Sequence, residues 1–259
     1  MKILLAPSET KTSGGTEPFK LENLLFEDLL PHRTQLLHYY MNILQKGDMV
    51  TLSTMFGLKK EADILRHKRD IIHEPAMKAI ERYTGVAFDY LNYSELDEDA
   101  QIYLHNNLLI FSNLFGILKA NDNIPEYRLQ QGKSIGDIKP EQFYKPLLQE
   151  RLDNYLEGED ILDIRAGFYD KYYKPTLSYT TLKFIKEGKV VSHWAKAYRG
   201  IVLREIAKAG ITSLKDFMKL PIEGLSIYEI QTKKNKTEII YIIDNKKETH
   251  ATPKRRNTI

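Results

Sequence analysis

The sequence predicts a mixed α/β (α+β) fold: a single compact domain with a mixed sheet, flanking helices and an element like a helix–hairpin–helix. Two patterns predict the sheet and its helices. Short apolar runs of strand length alternate with helical apolar spacing through most of the chain, and hairpin patterns follow near its end. The 259 residues contain no Gly/Ser-rich or Pro-rich linker, which indicates one body.

The individual elements follow from apolar spacing and from turn residues. Helical spacing occurs at residues 31–45, where Gly47 is a stop signal, and at residues 76–83, 104–107 and 142–156. Short buried strands are predicted at residues 3–6, 108–111 and 160–164. Strands and helices therefore alternate through the middle of the chain.

Two hairpins are predicted near the C-terminus. Residues 182–185 and 190–193 flank Glu187 and Gly188, and residues 225–230 and 238–243 flank a lysine-rich turn. The predicted domain spans residues 1–243, and a basic polar tail follows at residues 244–259. This tail is interpreted either as a solvated end or as an arm that touches phosphates.

Composition excludes several classes of protein. The chain has no cysteine, which removes disulfides, thiolate nucleophiles and cysteine-held metal clusters. No apolar run is long enough for a membrane span and no export signal opens the sequence, so a cytoplasmic protein without a membrane partner is expected. The formal net charge of +3 is too small to indicate nucleic-acid binding by itself.

A short hairpin at residues 51–65 is the most informative local pattern. Two helical patterns meet at Gly57, which Phe56 and Leu58 flank, and Lys59 and Lys60 follow. In a helix–hairpin–helix element, apolar residues pack the two helices while backbone amides and lysines hold a DNA phosphate. The alternative interpretation is an ordinary helical turn with a solvated charged face.

Several segments spread along the chain resemble one known family. They are LLAPSETK at residues 4–11, SNLFGIL at 112–118, IPEYRL at 124–129, AGFY at 166–169 followed by Lys174, and AKAYRG at 195–200. Together and in this order they resemble the peroxide stress resistance protein YaaA family. The resemblance covers residues 2 to about 243.

This resemblance carries its own expectations. It implies a bacterial cytoplasmic protein, induced under hydrogen peroxide, that limits oxidative DNA damage and lowers available iron. It also implies a monomeric α/β fold with a basic cleft and a helix–hairpin–helix element. The implied partner is double-stranded DNA, bound without strong sequence preference.

The matched segments are rich in cations and tyrosines. The set that suits an anion consists of Lys11, Tyr127, Arg128, Lys174, Lys196 and Arg199. Lys196 and Arg199 are three residues apart on a predicted helix, so they share a face and can hold one phosphate. The alternative for Lys196 and Arg199 is a pair of solvated helix residues. The alternative for Tyr127 and Arg128 is a structural turn.

Three functions remain open. The first is binding of duplex DNA in oxidative stress; the second is an enzyme that holds a nucleotide or nucleic acid in the cleft, with Asp163, Glu126 or Asp170 as general acid or base. No phosphate-binding loop, dinucleotide fingerprint or nucleophile elbow accompanies these residues. The third is a structural or protein-interaction module. The seven histidines lack metal-ligand spacing, so no metal or other cofactor is expected.

Overall fold

A mixed sheet runs through the protein. The computed structural model describes residues 1–244, with Val190, Ser192 and His193 described by their backbone alone. The strands are β1 Lys2–Leu5, β2 Met77–Lys78, β3 Leu108–Ser112, β4 Gly116–Lys119, β5 Asn123–Ile124, β6 Ile161–Asp163, β7 Tyr179–Lys186, β8 Lys189–Val190, β9 Leu225–Lys233 and β10 Lys236–Ile243. The α-helices are α1 Leu30–Lys46, α2 Met49–Phe56, α3 Glu61–His67, α4 Ala79–Arg82, α5 Val86–Leu91, α6 Glu98–Asn107, α7 Pro140–Leu156, α8 Ser192–Lys208 and α9 Leu214–Phe217.

Strand β1 lies inside the parallel part of the sheet, which runs from β3 through β1, β6 and β7 to β10. The strand order is β4-β3-β1-β6-β7-β10-β9, with β8 added to β7. Strand β1 pairs in parallel with both β3 and β6, and Ile3, Leu4 and Leu5 are at most 2% exposed. A strand covered on both faces needs a continuous apolar run, which explains this segment.

The connections on the two sides of β1 diverge. The chain leaves β1 to form β3 on one side and later returns to form β6 on the other. In open α/β sheets a crevice forms outside the carboxyl ends of the strands where the chain changes direction in this way. The topology therefore predicts a binding site beyond Leu5 and Asp163.

Helix α8 is held close to α5 by a glycine. A Cβ atom at Gly200 would lie 2.1 Å from the carbonyl oxygen of Ala87 and 3.0 Å from the amide nitrogen of Leu91. Only a residue without a side chain permits this approach. The contact sets the position of the cations that α8 carries.

Two buried arginines tie loops to the core through backbone carbonyls. Arg33 donates to the carbonyl oxygens of Phe115 and Ile117 at 3.0 and 2.9 Å. Arg82 is fully buried and donates to four carbonyls, those of Thr12, Gly14, Pro75 and Ile124. Each guanidinium thus replaces lost hydration with hydrogen bonds.

The predicted mixed α/β class with a mixed sheet and flanking helices is confirmed, with two local corrections, while the helix–hairpin–helix detail stays a prediction. Residues 76–83 are not one helix, because β2 occupies Met77–Lys78 and α4 only Ala79–Arg82. The predicted strand at residues 190–193 ends at Val190, and α8 begins at Ser192. Of the predicted tail, residues 245–259 lie outside the described residues.

Candidate functional site: a basic cleft and the adjoining hairpin

A cavity of about 340 Å³ opens at the carboxyl ends of β1 and β6. Its walls are formed by the end of β1 and the loop after it (residues 5–10), by the start of α5 (residues 85–88), by Ile164, Ala166 and Tyr169 after β6, and by Gln131, Lys196 and Arg199. This is the position that the sheet topology predicts.

Two cations of α8, Lys196 and Arg199, line this cleft. Neither Lys196 nor Arg199 forms a hydrogen bond or ion pair with any residue that the structure describes, and the buried Nε of Arg199 is unsatisfied. Burial lowers the pKa of Arg199, while the carboxylate of Asp163 acts in the opposite direction. Since a buried donor without an acceptor is unfavourable, an anion in the cleft would stabilise this guanidinium.

The loop after β1 brings two hydroxyls to the same cleft. Ser8 Oγ and Thr10 Oγ1 are 3.1 Å apart, and Thr10 Oγ1 donates to the carbonyl oxygen of Thr84. A Cβ atom at Gly85 would lie 3.0 Å from Ser8 Oγ, and its φ of +106° is one that side chains disfavour. A glycine is therefore needed where α5 meets this loop.

Arg128 connects this loop to the helical hairpin and is already paired. Its guanidinium donates to the carbonyl oxygen of Phe56 at 2.9 Å, to the carbonyl oxygen of Glu9 at 3.1 Å and to the Glu9 carboxylate at 3.3 Å. The backbone amide of Gln131 donates to the other oxygen of that carboxylate. Arg128 therefore has a positioning role in this state.

Lys11 lies beside the cleft loop, under two tyrosine rings. Its Nζ is 3.9 Å from the centre of the Tyr127 ring and 5.1 Å from that of Tyr83, and it donates to the carbonyl oxygen of Ser8. Burial, and then the nearby charge of Arg128, lower the pKa of Lys11 to about 7. Its charged form is therefore much less favoured near neutral pH than that of an exposed lysine.

The hydroxyl of Tyr127 connects Lys11's surroundings to the sheet. Tyr127 Oη lies 2.8 Å from Tyr83 Oη and 2.8 Å from Ser112 Oγ, and both tyrosine rings are buried. Tyr127 is therefore a buried residue: its hydroxyl bonds within the core, and its ring packs against the ammonium group of Lys11 instead of facing solvent.

The hairpin of α2 and α3 packs on the segment that borders the cleft. Gly57 ends α2 with a φ of +65°, Phe56 is fully buried, and Leu58 is partly buried. A Cβ atom at Gly57 would lie 2.1 Å from Gln130 Oε1. Because Gln131 lines the cleft, one short segment contacts both the hairpin and the cleft.

The remaining predicted cations differ in their surroundings. Lys59, Lys60 and Lys174 are exposed, and their ammonium groups have no hydrogen bond or ion pair within residues 1–244. In contrast, Arg66 and Arg69 after the hairpin are paired with the buried carboxylate of Glu126 at 3.3 and 2.6 Å. The local cationic surplus of the hairpin is therefore smaller than its sequence indicates.

The three candidate acids lie away from the cleft lining. Asp163 accepts two hydrogen bonds from the Arg165 guanidinium, and Glu126 is held by Arg66 and Arg69. Burial raises the pKa of Asp170, which lies 3.7 Å from Arg165. Sequence reasoning assigned no role to Glu9, the carboxylate that does line the cleft; its place within LLAPSETK was the available signal.

Sequence reasoning also missed the α5 wall of the cleft. Gly85 and Phe88 belong to none of the matched segments, and only a glycine before a short apolar helix marked the place. Gln131 was missed because its own contact with the loop of the cleft is long-range: its backbone amide donates to the Glu9 carboxylate.

Within residues 1–244, no three His, Asp or Glu side chains come together as metal ligands would. No helix of this region has the length and apolar character that a membrane crossing requires.

The sheet and the cleft define a class: an α/β protein with a cleft at the carboxyl ends of its parallel strands, lined by the cations Lys196 and Arg199. Comparison with protein families gives the particular group. Residues 1–231 match the model of the peroxide stress protein YaaA family, and the chain belongs to this family.

Relatives extend over most of the chain. An uncharacterized protein of Campylobacter jejuni is 44% identical over 241 residues, covering 93% of this chain and 98% of the relative. A UPF0246 protein of Corynebacterium glutamicum is 31% identical over 80% of this chain and 85% of its own length. A UPF0246 protein of Fusobacterium nucleatum is 29% identical over 88% of this chain and 93% of its own. The predicted family resemblance is confirmed.

Proposed function

We propose that this peroxide stress protein binds double-stranded DNA in the cytoplasm, without strong sequence preference, and thereby limits iron-dependent oxidative damage. The observation that carries the proposal is that Lys196 and Arg199 line a cleft beside the hairpin and have no partner among the described residues. Phosphate contacts by lysine and arginine supply most of the affinity in sequence-independent binding. Bound protein would displace metal ions that associate loosely with the DNA backbone.

Five cations form the proposed DNA surface. They are unpaired with described residues: Lys59, Lys60, Lys174, Lys196 and Arg199. The segment at residues 128–131 supports the arrangement, because it contacts both the hairpin and the cleft. Arg66, Arg69 and Arg128 contribute less, because buried or bordering carboxylates already neutralise them.

A salt titration tests the proposal. Binding of a fluorescent duplex, measured by anisotropy, should weaken steeply with salt, with a slope of about 0.9 in log affinity for each phosphate contact. The double substitution K196A/R199A removes two contacts and should reduce the slope by about 2. K145A removes an exposed lysine of α7 that does not line the cleft, and should change the slope little.

Two results would contradict the proposal. One is binding that does not depend on salt. The other is equal loss of affinity in K145A and in K196A/R199A, because the cleft would then contribute no more than the average surface charge.

A second candidate is an enzyme that acts on a nucleotide or nucleic acid. It is favoured by Lys11, whose pKa of about 7 is that of a lysine able to exchange a proton at neutral pH. Turnover of nucleotides or damaged-base oligonucleotides that K11M abolishes, while duplex binding persists, would support this candidate. Absence of turnover in the native chain would leave DNA binding as the function.

A further inference from the structure

We infer that the cleft binds a single nucleotide through a terminal phosphate, a phosphomonoester, seated on Arg199 and Lys196. The inference deepens the proposed function and rests on it where the nucleotide is the end of a DNA strand. The same chemistry is offered by a free mononucleotide, and the experiment distinguishes the two sources.

Size is the first argument. Pockets for small organic ligands have volumes of about 300–1,000 Å³. The cleft, at about 340 Å³, lies at the small end of this range. A whole duplex cannot enter a cavity of this size and can meet it only with a backbone phosphate at the opening, whereas one nucleotide unit can enter.

Charge is the second argument. A phosphomonoester carries close to two negative charges at neutral pH, because its second pKa is about 6, whereas an internal diester carries one. Lys196 and Arg199 supply two positive charges without partners among the described side chains. The one carboxylate of the lining, Glu9, already accepts from Arg128 and from the amide of Gln131. The cleft therefore matches the dianion better than the monoanion.

The donor arrangement is the third argument. Arg199 offers a buried Nε–H without an acceptor, and the guanidinium fork suits two phosphate oxygens. The Ser8 hydroxyl lies on the loop after β1 in the same cleft, whereas the Thr10 hydroxyl already donates to the carbonyl oxygen of Thr84. A dianionic group with several oxygens can accept from Arg199, Lys196 and Ser8 at once.

The other lining residues suit the organic part of the nucleotide. Phe88 and Tyr169 bring aromatic rings to the cleft, and Pro7 and Ile164 bring aliphatic surface. The hydroxyl of Tyr169 already donates to Asn113 Oδ1 at 3.0 Å, so Tyr169 contributes to the cleft as an aromatic residue and not as a donor. Bases stack on such rings without a sequence requirement.

Titration calorimetry with the full chain tests the inference. The probes are dAMP, the methyl ester of dAMP, which is a diester, and deoxyadenosine. All three are measured at a pH above the second pKa of the monoester, which is about 6. We expect saturable binding of dAMP, at least tenfold weaker binding of the methyl ester, and no binding of deoxyadenosine.

Matched variants locate the site. R199Q and K196Q should each weaken dAMP binding about tenfold or more, because each removes a charged donor. R204Q removes a cation from the same helix that does not line the cleft, and should bind dAMP as the native chain does. Lys196 is exposed, so K196Q should fold normally. Thermal unfolding shows whether R199Q and R204Q fold as the native chain does.

Competition identifies the source of the phosphate. A short oligonucleotide with a 5′-phosphate that displaces dAMP, while its 5′-hydroxyl counterpart does not, indicates a strand end. Displacement by neither oligonucleotide indicates a free mononucleotide. Either result supports the terminal-phosphate site.

Three outcomes would overturn the inference: no dAMP binding at about 1 mM, equal affinity for dAMP and its methyl ester, or equal losses in R199Q and R204Q. If duplex binding nevertheless weakens in K196A/R199A, the proposed DNA function stands and only the terminal-phosphate inference fails. If salt-dependent duplex binding is absent while dAMP binds, the terminal-phosphate inference stands for a free mononucleotide and the proposed DNA function fails.

Discussion

Substitution of Gly200 by alanine tests how the cleft is held. In an ordinary helix interior, glycine to alanine stabilises by about 1 kcal/mol. Here the new Cβ would lie 2.1 Å from the carbonyl oxygen of Ala87, so α5 and α8 must separate by about 1 Å to restore normal contact. Because this oxygen belongs to the backbone of α5, no change of side-chain rotamer can relieve the overlap.

The expected effect of G200A therefore has the opposite sign to the helix propensity. Overpacking costs about 1–3 kcal/mol. A net destabilisation of about 2 kcal/mol lowers the melting temperature by about 4–8 °C in a chain of this size. Ligand binding should weaken as well, because α8 carries Lys196 and Arg199 into the cleft.

Thermal and urea unfolding, followed by circular dichroism, measure this change. The control is G167A, because a Cβ atom at Gly167 meets no atom within 4 Å and its backbone is not left-handed. That variant should be as stable as the native chain or slightly more so. If G200A were equally stable, the close approach of α5 and α8 would not hold the cleft.

Three further predictions concern the surroundings of the cleft. R82M should destabilise the chain by about 3 kcal/mol or more in urea unfolding, since four carbonyls lose their donor; an unchanged midpoint would contradict this. G57A should lower stability by about 1–2 kcal/mol, because φ is +65°, a conformation that side chains disfavour, whereas the end of the Gln130 side chain can move away; native stability would contradict this. Lys11 should make stability rise with pH between about 7 and 10, because its folded pKa is about 7 and the unfolded chain still binds the proton there. K11M should lose that slope in urea unfolding at several pH values, and an unchanged slope would place the titration on another group.

Most elements could be predicted because their signals are local. The apolar run of β1, the periodicity of α1 and α7, and the hairpin of β9 and β10 are all readable from neighbouring residues. The helix predicted at residues 76–83 failed for the opposite reason. Met77 and Lys78 pair as a strand with Asn123 and Ile124, a contact that no local pattern contains.

The candidate site divides in the same way. Lys196 and Arg199 share a face because they are three residues apart on a helix, and the structure brings both to the cleft. Arg128 was chosen for the same anion-binding set, but it is paired with Glu9, which lies 119 residues away in sequence. Lys11 is covered by Tyr127 and Tyr83, and its lowered pKa results from that burial.

The sequence by itself determined the α/β class, most helices and strands, the family, and the two cations that helical spacing places together. Only the tertiary structure decided which of the other predicted cations are neutralised by a carboxylate and which remain available to bind a ligand. The physical reason is range: backbone periodicity depends on nearest neighbours, whereas burial and ion pairing depend on contacts between segments that are distant in the chain. The cleft exists because β3 and β6 lie on opposite sides of β1, and this order of strands is a property of the folded chain.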